Sequence, residues 1–314
     1  MLDCAIIGGG PAGLTAGLYA TRGGLGDVVM FEKGLPGGAI TQSSEIENYP
    51  GVFGEITGME LMESWPKQCM QFGLKHTMAE VALLSKVDDI FTITLQDGTT
   101  QEAKSVILCM GSKPRKIGFK GESELYGKGV SSCATCDGFF YKNKEVVVIG
   151  GGDTALEEAL YLAKICTKVY LVHRRESFRA SPNTIARVQN THNIEVVLNH
   201  VPYEVYGGAM GVDGIVVENH LSKEKRDIQV PGVFVFAGND VNNGILEQED
   251  GSFLCQLNGA GQVVVDLKMQ TDVAGLFAAG DLRMDAPKQV VCAAGDGATA
   301  ALSAISYVDE NFKN

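Results

Sequence analysis

The sequence predicts an α/β protein made of two Rossmann-like domains, with the second domain inserted into the first. A strand, a glycine-rich turn and a helix occur at the N-terminus, and the same pattern recurs near the middle of the chain. A short basic segment with a proline before the second copy, and a polar segment rich in Gly and Asn after it, have the composition of crossings between domains. The length of 314 residues accommodates two domains of about 150 residues each.

The first unit starts with the apolar strand Cys4–Ile7, which runs into the motif Gly8-x-Gly10-x-x-Gly13. Pro11 occupies a position that is favoured in a first helical turn. Glycines in this pattern let the backbone approach a pyrophosphate at a helix N-terminus, where unpaired N–H groups favour an anion. The next strand ends in Glu32, 19 residues after Gly13. This unit predicts a dinucleotide site in which Glu32 accepts hydrogen bonds from ribose hydroxyls.

The second unit consists of the strand Glu145–Ile149, the motif Gly150-x-Gly152-x-x-Ala155 and the strand Lys168–Val172. Counting 19 residues from Ala155, as from Gly13 in the first unit, reaches Arg174. Guanidinium groups suit a 2′-phosphate. The second site is therefore predicted to prefer NADPH over NADH, and the alternative is a solvated basic strand end. The basic side chains are His173, Arg174, Arg175 and Arg179.

The chain crossings set the predicted domain boundaries. Lys113–Arg115 is a plausible link into the insert, and the Gly- and Asn-rich stretch Gly238–Gly244 is a plausible return. We therefore expect one domain from residues 1–115 and 242–314, and an inserted domain from residues 116–241.

Charge and composition exclude several classes of function. The net charge is −12, which opposes non-specific binding to nucleic acid or to an anionic membrane. We find no run of about 18 consecutive apolar residues that would indicate a membrane span, and the N-terminus lacks the basic region of a secretory signal. We therefore expect a cytoplasmic protein, and its eight cysteines are not expected to form a disulfide framework.

Two of the cysteines form the motif Cys133-Ala-Thr-Cys136, which precedes Gly150 in the insert. Two intervening residues allow a reversible disulfide, and a thiolate in such a motif is a competent nucleophile near neutral pH. The alternatives are two unrelated core thiols or a zinc site, although no second pair of ligands occurs at metal spacing and we expect no metal. Asp137 is either an acid/base group beside the dithiol or a turn residue before Gly138.

The motifs GGGPAG, GLPGGAI, EIENYPG, CATCDGFFY, IGGGDTA, HRRESFR, GLFAAGD and KQVVCAAGDGATAA occur in this order. Over essentially its whole length, the sequence resembles the bacterial low-molecular-weight thioredoxin reductases. The resemblance implies a homodimer with FAD in the first site and NADPH in the second, acting on thioredoxin or a thioredoxin-like protein. It also implies that Cys136 lies nearer the flavin, that Cys133 attacks thioredoxin and that Asp137 is the acid/base group.

The resemblance implies two sets of cofactor-binding residues. Those expected to bind FAD are Gly8, Gly10, Pro11, Ala12, Gly13, Glu32, Lys33, Gly38, Ile40, Asn48, Gly111, Asp281, Lys288, Gln289 and Val290. Those expected to bind NADPH are Gly150, Gly152, Asp153, Thr154, Ala155, His173, Arg174, Arg175 and Arg179.

Other functions remain possible on the same fold. A ferredoxin or flavodoxin NADP reductase needs no cysteine pair, so the dithiol motif argues against it. A non-catalytic redox sensor that binds dinucleotides would retain the glycine motifs and even the thiols. NADPH-dependent reduction of DTNB, with and without thioredoxin, would distinguish the sensor from an enzyme.

Overall fold

The computed structural model describes residues 1–43, 46, 48–54 and 56–312. Glu45 and Glu47 of the motif EIENYPG therefore lie outside the described residues. The chain forms two compact units. Unit 1 comprises Met1–Lys113 and Asp240–Asn314, and unit 2 comprises Pro114–Asn239.

The helices and strands follow one another in this order. The first are β1 (Leu2–Ile7), α1 (Pro11–Arg22), β2 (Val28–Glu32), α2 (Gly58–Met62), α3 (Ser64–Gln71), β3 (Lys75–Met78), β4 (Val81–Val87), β5 (Ile90–Leu95), β6 (Thr100–Leu108) and β7 (Ser112–Pro114). They continue with β8 (Val130–Ser131), α4 (Ala134–Asp137), β9 (Glu145–Ile149), α5 (Asp153–Leu162), β10 (Lys168–His173), α6 (Pro182–Gln189), β11 (Ile194–Leu198), β12 (His200–Gly208), β13 (Gly211–Asn219), β14 (Lys225–Ile228) and β15 (Gly232–Val235). The last are β16 (Asn239–Val241), β17 (Leu276–Ala278) and α7 (Val290–Phe312).

Unit 1 is built on a seven-stranded sheet in the order β3-β2-β1-β6-β5-β4, with β17 paired to β6. Strands β3, β2, β1, β6 and β17 are parallel, whereas β4 and β5 add an antiparallel hairpin. Alternate residues of β1 enter two separate apolar cores, with Cys4 and Ile6 on one face and Ala5 and Ile7 on the other. Burial on both faces explains why residues Cys4–Ile7 of this strand are continuously apolar.

Helix α7 packs against α1 through small side chains on one face. Gly297 lies so close to the carbonyl of Ala12 that a Cβ at this position would collide with it. Of the described helices, α7 is the one whose length and composition would allow it to cross a membrane, a test that a core helix also passes. The buried residues of α7 are Ala293, Asp296, Gly297, Ala300, Ala301, Ala304 and Val308.

Unit 2 has a five-stranded parallel sheet in the order β11-β10-β9-β15-β8 and a three-stranded antiparallel sheet, β12-β13-β14. Both predicted strand, turn and helix units are present: β1, α1 and β2 in unit 1, and β9, α5 and β10 in unit 2. The predicted α/β fold class is confirmed. The apolar stretch at residues 263–265 makes only isolated bridges and is not a strand.

Candidate functional site

Cys133 and Cys136 form a disulfide at the start of α4, with 5.3 Å between their Cα atoms. Cys133 is the N-terminal cap of this helical turn, and its Sγ accepts the N–H of Cys136 at 3.1 Å. Both cysteines are half-buried. The two cysteines are therefore not fully enclosed, and a local backbone turn holds them.

Asp137 follows the pair and is half-buried. Burial raises the pKa of this carboxyl above its usual value, and a hydrogen bond from Ser131 partly opposes the shift. Ser131 ends β8, and its Oγ accepts the N–H of Cys133 at 3.0 Å. A carboxyl with a raised pKa next to a disulfide can exchange a proton with a thiolate.

The first glycine loop lies between β1 and α1. A Cβ on Gly13 would collide with the carbonyl of Gly8, so that the helix and the loop could not approach this closely with a larger residue. Gly10, the N-cap of α1, gives the helix no side-chain hydrogen bond, which leaves first-turn amides for an anion. Glu32 Oε2 accepts the N–H of Gly9 at 2.8 Å, and its Oε1 accepts that of Gly34 at 3.1 Å. This loop is a cradle suited to a pyrophosphate, with a carboxylate fixed beside it.

Other residues of unit 1 that were expected to bind FAD lie in two small groups. Asn48 Nδ2 donates to Gln289 Oε1 at 3.3 Å, which brings together two residues 241 positions apart. Asp281 follows Gly280, whose added Cβ would lie 3.1 Å from the Cβ of Ala12 in α1. Burial raises the pKa of Asp281, and the charge of Lys288 opposes the shift.

The remaining expected FAD residues differ in their surroundings. Lys33 is exposed and pairs with Glu80 at 3.2 Å. Gly38 packs against Gly10, and a Cβ on Gly38 would lie 2.7 Å from the Cα of Gly10. Pro11, Ala12 and Val290 lie in first helical turns, Ile40 lies in the 3₁₀ helix Ala39–Gln42, and Gly111 follows β6 with φ of 64°.

The second glycine loop lies between β9 and α5, and the segment after β10 holds it in place. The N–H of Arg179 donates to the carbonyl of Gly151 at 2.8 Å. The side chain of Asp153 accepts the N–H of Ser181 at 2.7 Å. Gly152, the N-cap of α5, supplies no side-chain hydrogen bond. The loop and the arginine-containing segment are therefore joined directly, as a nucleotide site with a phosphate-binding arm requires.

The basic side chains expected to bind NADPH have different environments. The charges of Arg179 and Arg174 lower the pKa of Arg175, the effect of Arg179 being the larger. An anion bound among these three arginines would relieve their repulsion. His173, in contrast, is buried, with Nε2 3.1 Å from the carbonyl of Ser177 and its ring stacked on Phe178. Burial lowers the pKa of His173, so this ring supports the loop as a neutral group.

The structure corrects one step of the sequence comparison. Gly8 N–H bonds to the carbonyl of Phe31, whereas Gly150 N–H bonds to the carbonyl of Val172. The residue that takes the place of Glu32 in unit 2 is therefore His173, the last residue of β10. The match of Arg174 to Glu32 was wrong by one residue, because the stretch from Gly150 through α5 to Val172 is one residue shorter than the stretch from Gly8 through α1 to Phe31.

Sequence reasoning did not identify Ser131, Arg283 or Asp296. Arg283 Nε bonds to Asp296 Oδ2 at 2.7 Å, and the same carboxylate oxygen accepts the N–H of Gly280 at 3.2 Å. Nothing in the sequence distinguishes Ser131 from Ser132. Only their positions in the sequence could have indicated these residues. Ser131 lies two residues before the dithiol motif, and Arg283 lies two residues after Asp281. Asp296 lies within the motif KQVVCAAGDGATAA, which leads into α7.

The other cysteines are separate from this chemistry. Burial raises the pKa of each of five buried thiols, so they remain protonated. Cys292 is only half-buried. Within residues 1–43, 46, 48–54 and 56–312, no three His, Cys, Asp or Glu side chains are grouped so that they could hold a metal ion. The pKa is raised to about 12 for Cys4 and Cys255, to about 11 for Cys69 and Cys166, and further for Cys109.

Known proteins resemble this chain over its full length. A thioredoxin reductase of Helicobacter pylori is 59% identical over 311 residues, which cover 99% of this chain and 100% of that protein. A thioredoxin reductase of Listeria monocytogenes is 37% identical and covers 98% of this chain and 94% of its own length. The crystal structure of thioredoxin reductase from Streptococcus pyogenes matches with a TM-score of 0.92 and 34% identity, over 99% of both chains.

The family model that matches is that of the pyridine nucleotide-disulphide oxidoreductases, over residues 2–297. This range includes both glycine loops and the disulfide. The chain therefore belongs to the pyridine nucleotide-disulphide oxidoreductase family and, within it, to the low-molecular-weight thioredoxin reductases.

Proposed function

We propose that this chain is an NADPH-dependent flavoprotein that reduces the disulfide of thioredoxin through its own Cys133–Cys136 pair. The observation that carries this proposal is the half-buried disulfide beside Asp137, whose pKa is raised by burial. A relative with 59% identity over 311 residues is named a thioredoxin reductase and supports the same activity. FAD and NADPH are the cofactors of this family, and the two glycine loops fit them.

We assign FAD to unit 1 and NADPH to unit 2. In unit 1 the uncapped start of α1 would hold the pyrophosphate, and Glu32 would hold the ribose. Asn48, Gln289 and Asp281 would contact the remainder of FAD. In unit 2 the start of α5 would take the pyrophosphate of NADPH, and the arginines after β10 would take its 2′-phosphate. When bound, FAD accepts a hydride from NADPH and supplies two electrons for disulfide reduction.

The dithiol chemistry follows from the local geometry. Reduction breaks the Sγ–Sγ bond with two electrons, and Asp137 gives a proton to one of the two thiolates. The amide of Cys136, which donates to Cys133 Sγ, would stabilise a thiolate on that atom. The Cys133 thiolate attacks a thioredoxin sulfur, and the displaced thioredoxin thiolate takes up a proton. Cys136 then returns its proton to Asp137 and attacks Cys133 Sγ as a thiolate, which restores the disulfide. The second thioredoxin sulfur leaves as a thiolate and takes up a proton from solvent, so that reduced thioredoxin is released.

We further propose a cytoplasmic homodimer. The five buried thiols are compatible with a reducing compartment. Unit 1 exposes Leu35, Phe53 and Met59, which a second copy would cover. Sedimentation equilibrium and cell fractionation test these two statements, and a monomer at micromolar concentration would exclude the dimer.

The activity is tested by following NADPH oxidation in the presence of oxidised thioredoxin. Cys133→Ser and Cys136→Ser should each abolish turnover, because neither can form the disulfide. Cys292→Ser is the matched control, since it removes a half-buried thiol outside the pair and should leave the rate unchanged. Wild-type protein that binds FAD and NADPH but does not reduce thioredoxin would refute the proposal.

A further inference from the structure

The turn that follows β17 is held at both ends by the carboxylate of Asp296 on α7. The turn runs from Gly280 to Arg283, and the N–H of Arg283 closes it by donating to the carbonyl of Gly280 at 3.1 Å. Asp296 Oδ2 accepts the N–H of Gly280 at 3.2 Å and Arg283 Nε at 2.7 Å. Arg283 Nη2 donates to the other oxygen, Asp296 Oδ1, at 3.0 Å. One carboxylate therefore fixes the first and the last residue of the turn.

The residue enclosed by these bonds is Asp281, which is expected to contact FAD. Asp281 directly follows Gly280 and is half-buried, whereas the next residue, Leu282, is fully buried. The carbonyl of Leu282 also accepts the N–H of Val263 at 3.1 Å. Because the backbone is bonded on both sides of Asp281, the direction in which this side chain leaves the turn is set by the surrounding bonds.

The same turn lies against the start of α1. A Cβ added to Gly280 would lie 3.1 Å from the Cβ of Ala12, which is in the first turn of α1. Gly297, the residue after Asp296 on α7, lies close to the carbonyl of the same Ala12. The start of α1 is the part of unit 1 to which we assign the pyrophosphate of FAD. Asp296 therefore ties the position of Asp281 to that of the pyrophosphate cradle.

The geometry of the pair makes it a rigid connection. Both side chains are nearly buried, so water has little access to their hydrogen bonds. Arg283 presents two parallel N–H groups to the two oxygens of Asp296, an arrangement that fixes direction as well as distance. An amide at position 296 has only one acceptor oxygen and would turn an NH₂ group towards one of these donors. The carboxylate is therefore needed to hold the turn in this way.

We propose that Arg283 and Asp296 are positioning residues for FAD, which hold Asp281 in place relative to the glycine loop of unit 1. The inference rests on the proposed function, in which FAD binds this unit. Since the pair acts through the backbone on either side of Asp281, its loss should weaken the binding of FAD while the protein remains folded.

The test measures how much FAD dissociates when purified holoenzyme is diluted. The free FAD is separated by ultrafiltration and determined by its fluorescence. Asp296→Asn should raise the dissociation constant for FAD about tenfold, the effect expected when one hydrogen bond to the cofactor is lost. The circular dichroism spectrum of this variant should remain that of the wild type.

Leu84→Ala is the control for general destabilisation of unit 1. Leu84 lies on β4, outside the turn and both helices, and is fully buried in the core that contains Ala5 and Ile7. A Leu→Ala change in a core and the loss of one partner of a buried ion pair destabilise a protein to a similar extent, which urea denaturation of both variants checks. Under conditions in which both are folded, Leu84→Ala should keep the wild-type dissociation constant for FAD.

Arg283→Lys is a milder variant that tests the proposal even if Asp296→Asn does not fold. It keeps the positive charge but replaces the planar fork by a single ammonium group. It should raise the dissociation constant for FAD about threefold, a part of the effect of losing the bond completely. Arg22→Lys is its control and should cause no change, because Arg22 is exposed at the end of α1, 4.8 Å from the ring of Phe72.

A comparison of single and double variants tests whether the pair acts through Asp281. Asp281→Ala should itself weaken the binding of FAD. In that background, Asp296→Asn should cause little further loss of affinity, because the side chain that it positions is already absent.

The outcomes distinguish this inference from the proposed function. A wild-type protein that neither retains nor rebinds FAD overturns both. A wild type that binds FAD, with equal dissociation constants for Asp296→Asn and Leu84→Ala, overturns the positioning role alone. Equal dissociation constants for Arg283→Lys and Arg22→Lys, or losses that simply multiply in the Asp281→Ala/Asp296→Asn double variant, would also overturn that role.

Discussion

Asp296→Asn should destabilise unit 1 by removing one charge from a nearly buried ion pair. The Asp296 carboxylate accepts three hydrogen bonds: from Arg283 Nε at 2.7 Å, from Arg283 Nη2 at 3.0 Å and from Gly280 N at 3.2 Å. Only 15% of the Arg283 side chain and 11% of the Asp296 side chain are exposed. The substitution leaves the guanidinium without its counter-charge and weakens the contact between α7 and the Gly280 turn.

The magnitude follows from the burial and the remaining contacts. Removal of one partner of a buried ion pair costs about 3–5 kcal/mol. Arg283 keeps a hydrogen bond from Nη1 to the carbonyl of Met284 and some access to water. We therefore expect a loss of about 3 kcal/mol in the free energy of unfolding of unit 1, at the lower end of that range.

The single tryptophan, Trp65, lies in unit 1 on α3 and packs against Tyr49. Its fluorescence during urea denaturation of the FAD-free protein therefore reports on unit 1. Asp27→Asn is the matched control, because Asp27 is 2.7 Å from Lys75 in a pair that is largely exposed, and such pairs contribute about 0–1 kcal/mol. Equal transitions for the Asp296→Asn and Asp27→Asn variants would refute the argument from burial.

Three further predictions concern the cofactors and the dithiol. Neutralising Arg174 and Arg175 together should raise the KM for NADPH by about 10- to 1,000-fold, as expected for lost hydrogen bonds to a charged group, with little change for NADH. Equal losses for both nucleotides in steady-state kinetics would contradict this assignment. NADPH should still reduce the flavin of the Cys133→Ser and Cys136→Ser variants, which stopped-flow absorbance can show, and a flavin that stays oxidised would contradict the proposed order of steps. Burial raises the pKa of Asp281, so its ionised form destabilises the FAD-free fold above its usual pKa. Asp281→Asn should therefore raise the melting temperature of the FAD-free protein at neutral pH while weakening FAD binding, and a lower melting temperature would show that the charge is stabilising.

The parts of the fold that the sequence predicted are those with strong local constraints. Strands β1 and β9 each contain an uninterrupted run of four apolar residues that ends at a glycine motif, Cys4–Ile7 and Val146–Ile149, so their type and position follow from composition and spacing. The antiparallel sheet β12-β13-β14 was not predicted, because none of its strands is an apolar run that ends at a glycine motif. Strand β14, for example, has the sequence KRDI, with three exposed charged residues before one buried isoleucine. Its pairing with β13 determines its structure, and pairing cannot be read from a single segment.

In the candidate site, too, the sequence predicted which kinds of residue are present but not the contacts that each residue makes. The motif Cys133-Ala-Thr-Cys136 indicates a disulfide by its spacing, and the structure contains that disulfide. The surroundings of Ser131 could not be predicted in this way, because Ser131 and Ser132 are chemically identical and adjacent. Only their partners separate them, since the hydroxyl of Ser131 contacts the backbone of Cys133 whereas that of Ser132 contacts Tyr126. These contacts depend on where β8 ends and α4 begins.

The register of β10 determines which side chain lies beside the second glycine loop. In unit 1, Glu32 is the last residue of β2 and places a carboxylate on the amide of Gly9 in the glycine loop. In unit 2 the corresponding position holds His173, a buried ring whose pKa is lowered, and an added Cβ on Gly151 would collide with it. A neutral ring there removes the acceptor that a ribose diol would use. It also places Arg174 one residue beyond the strand, where its side chain is exposed. On the proposed assignment, we therefore expect two neighbouring residues to select for a phosphate: His173 places no carboxylate at the loop, and Arg174 presents a cation to solvent.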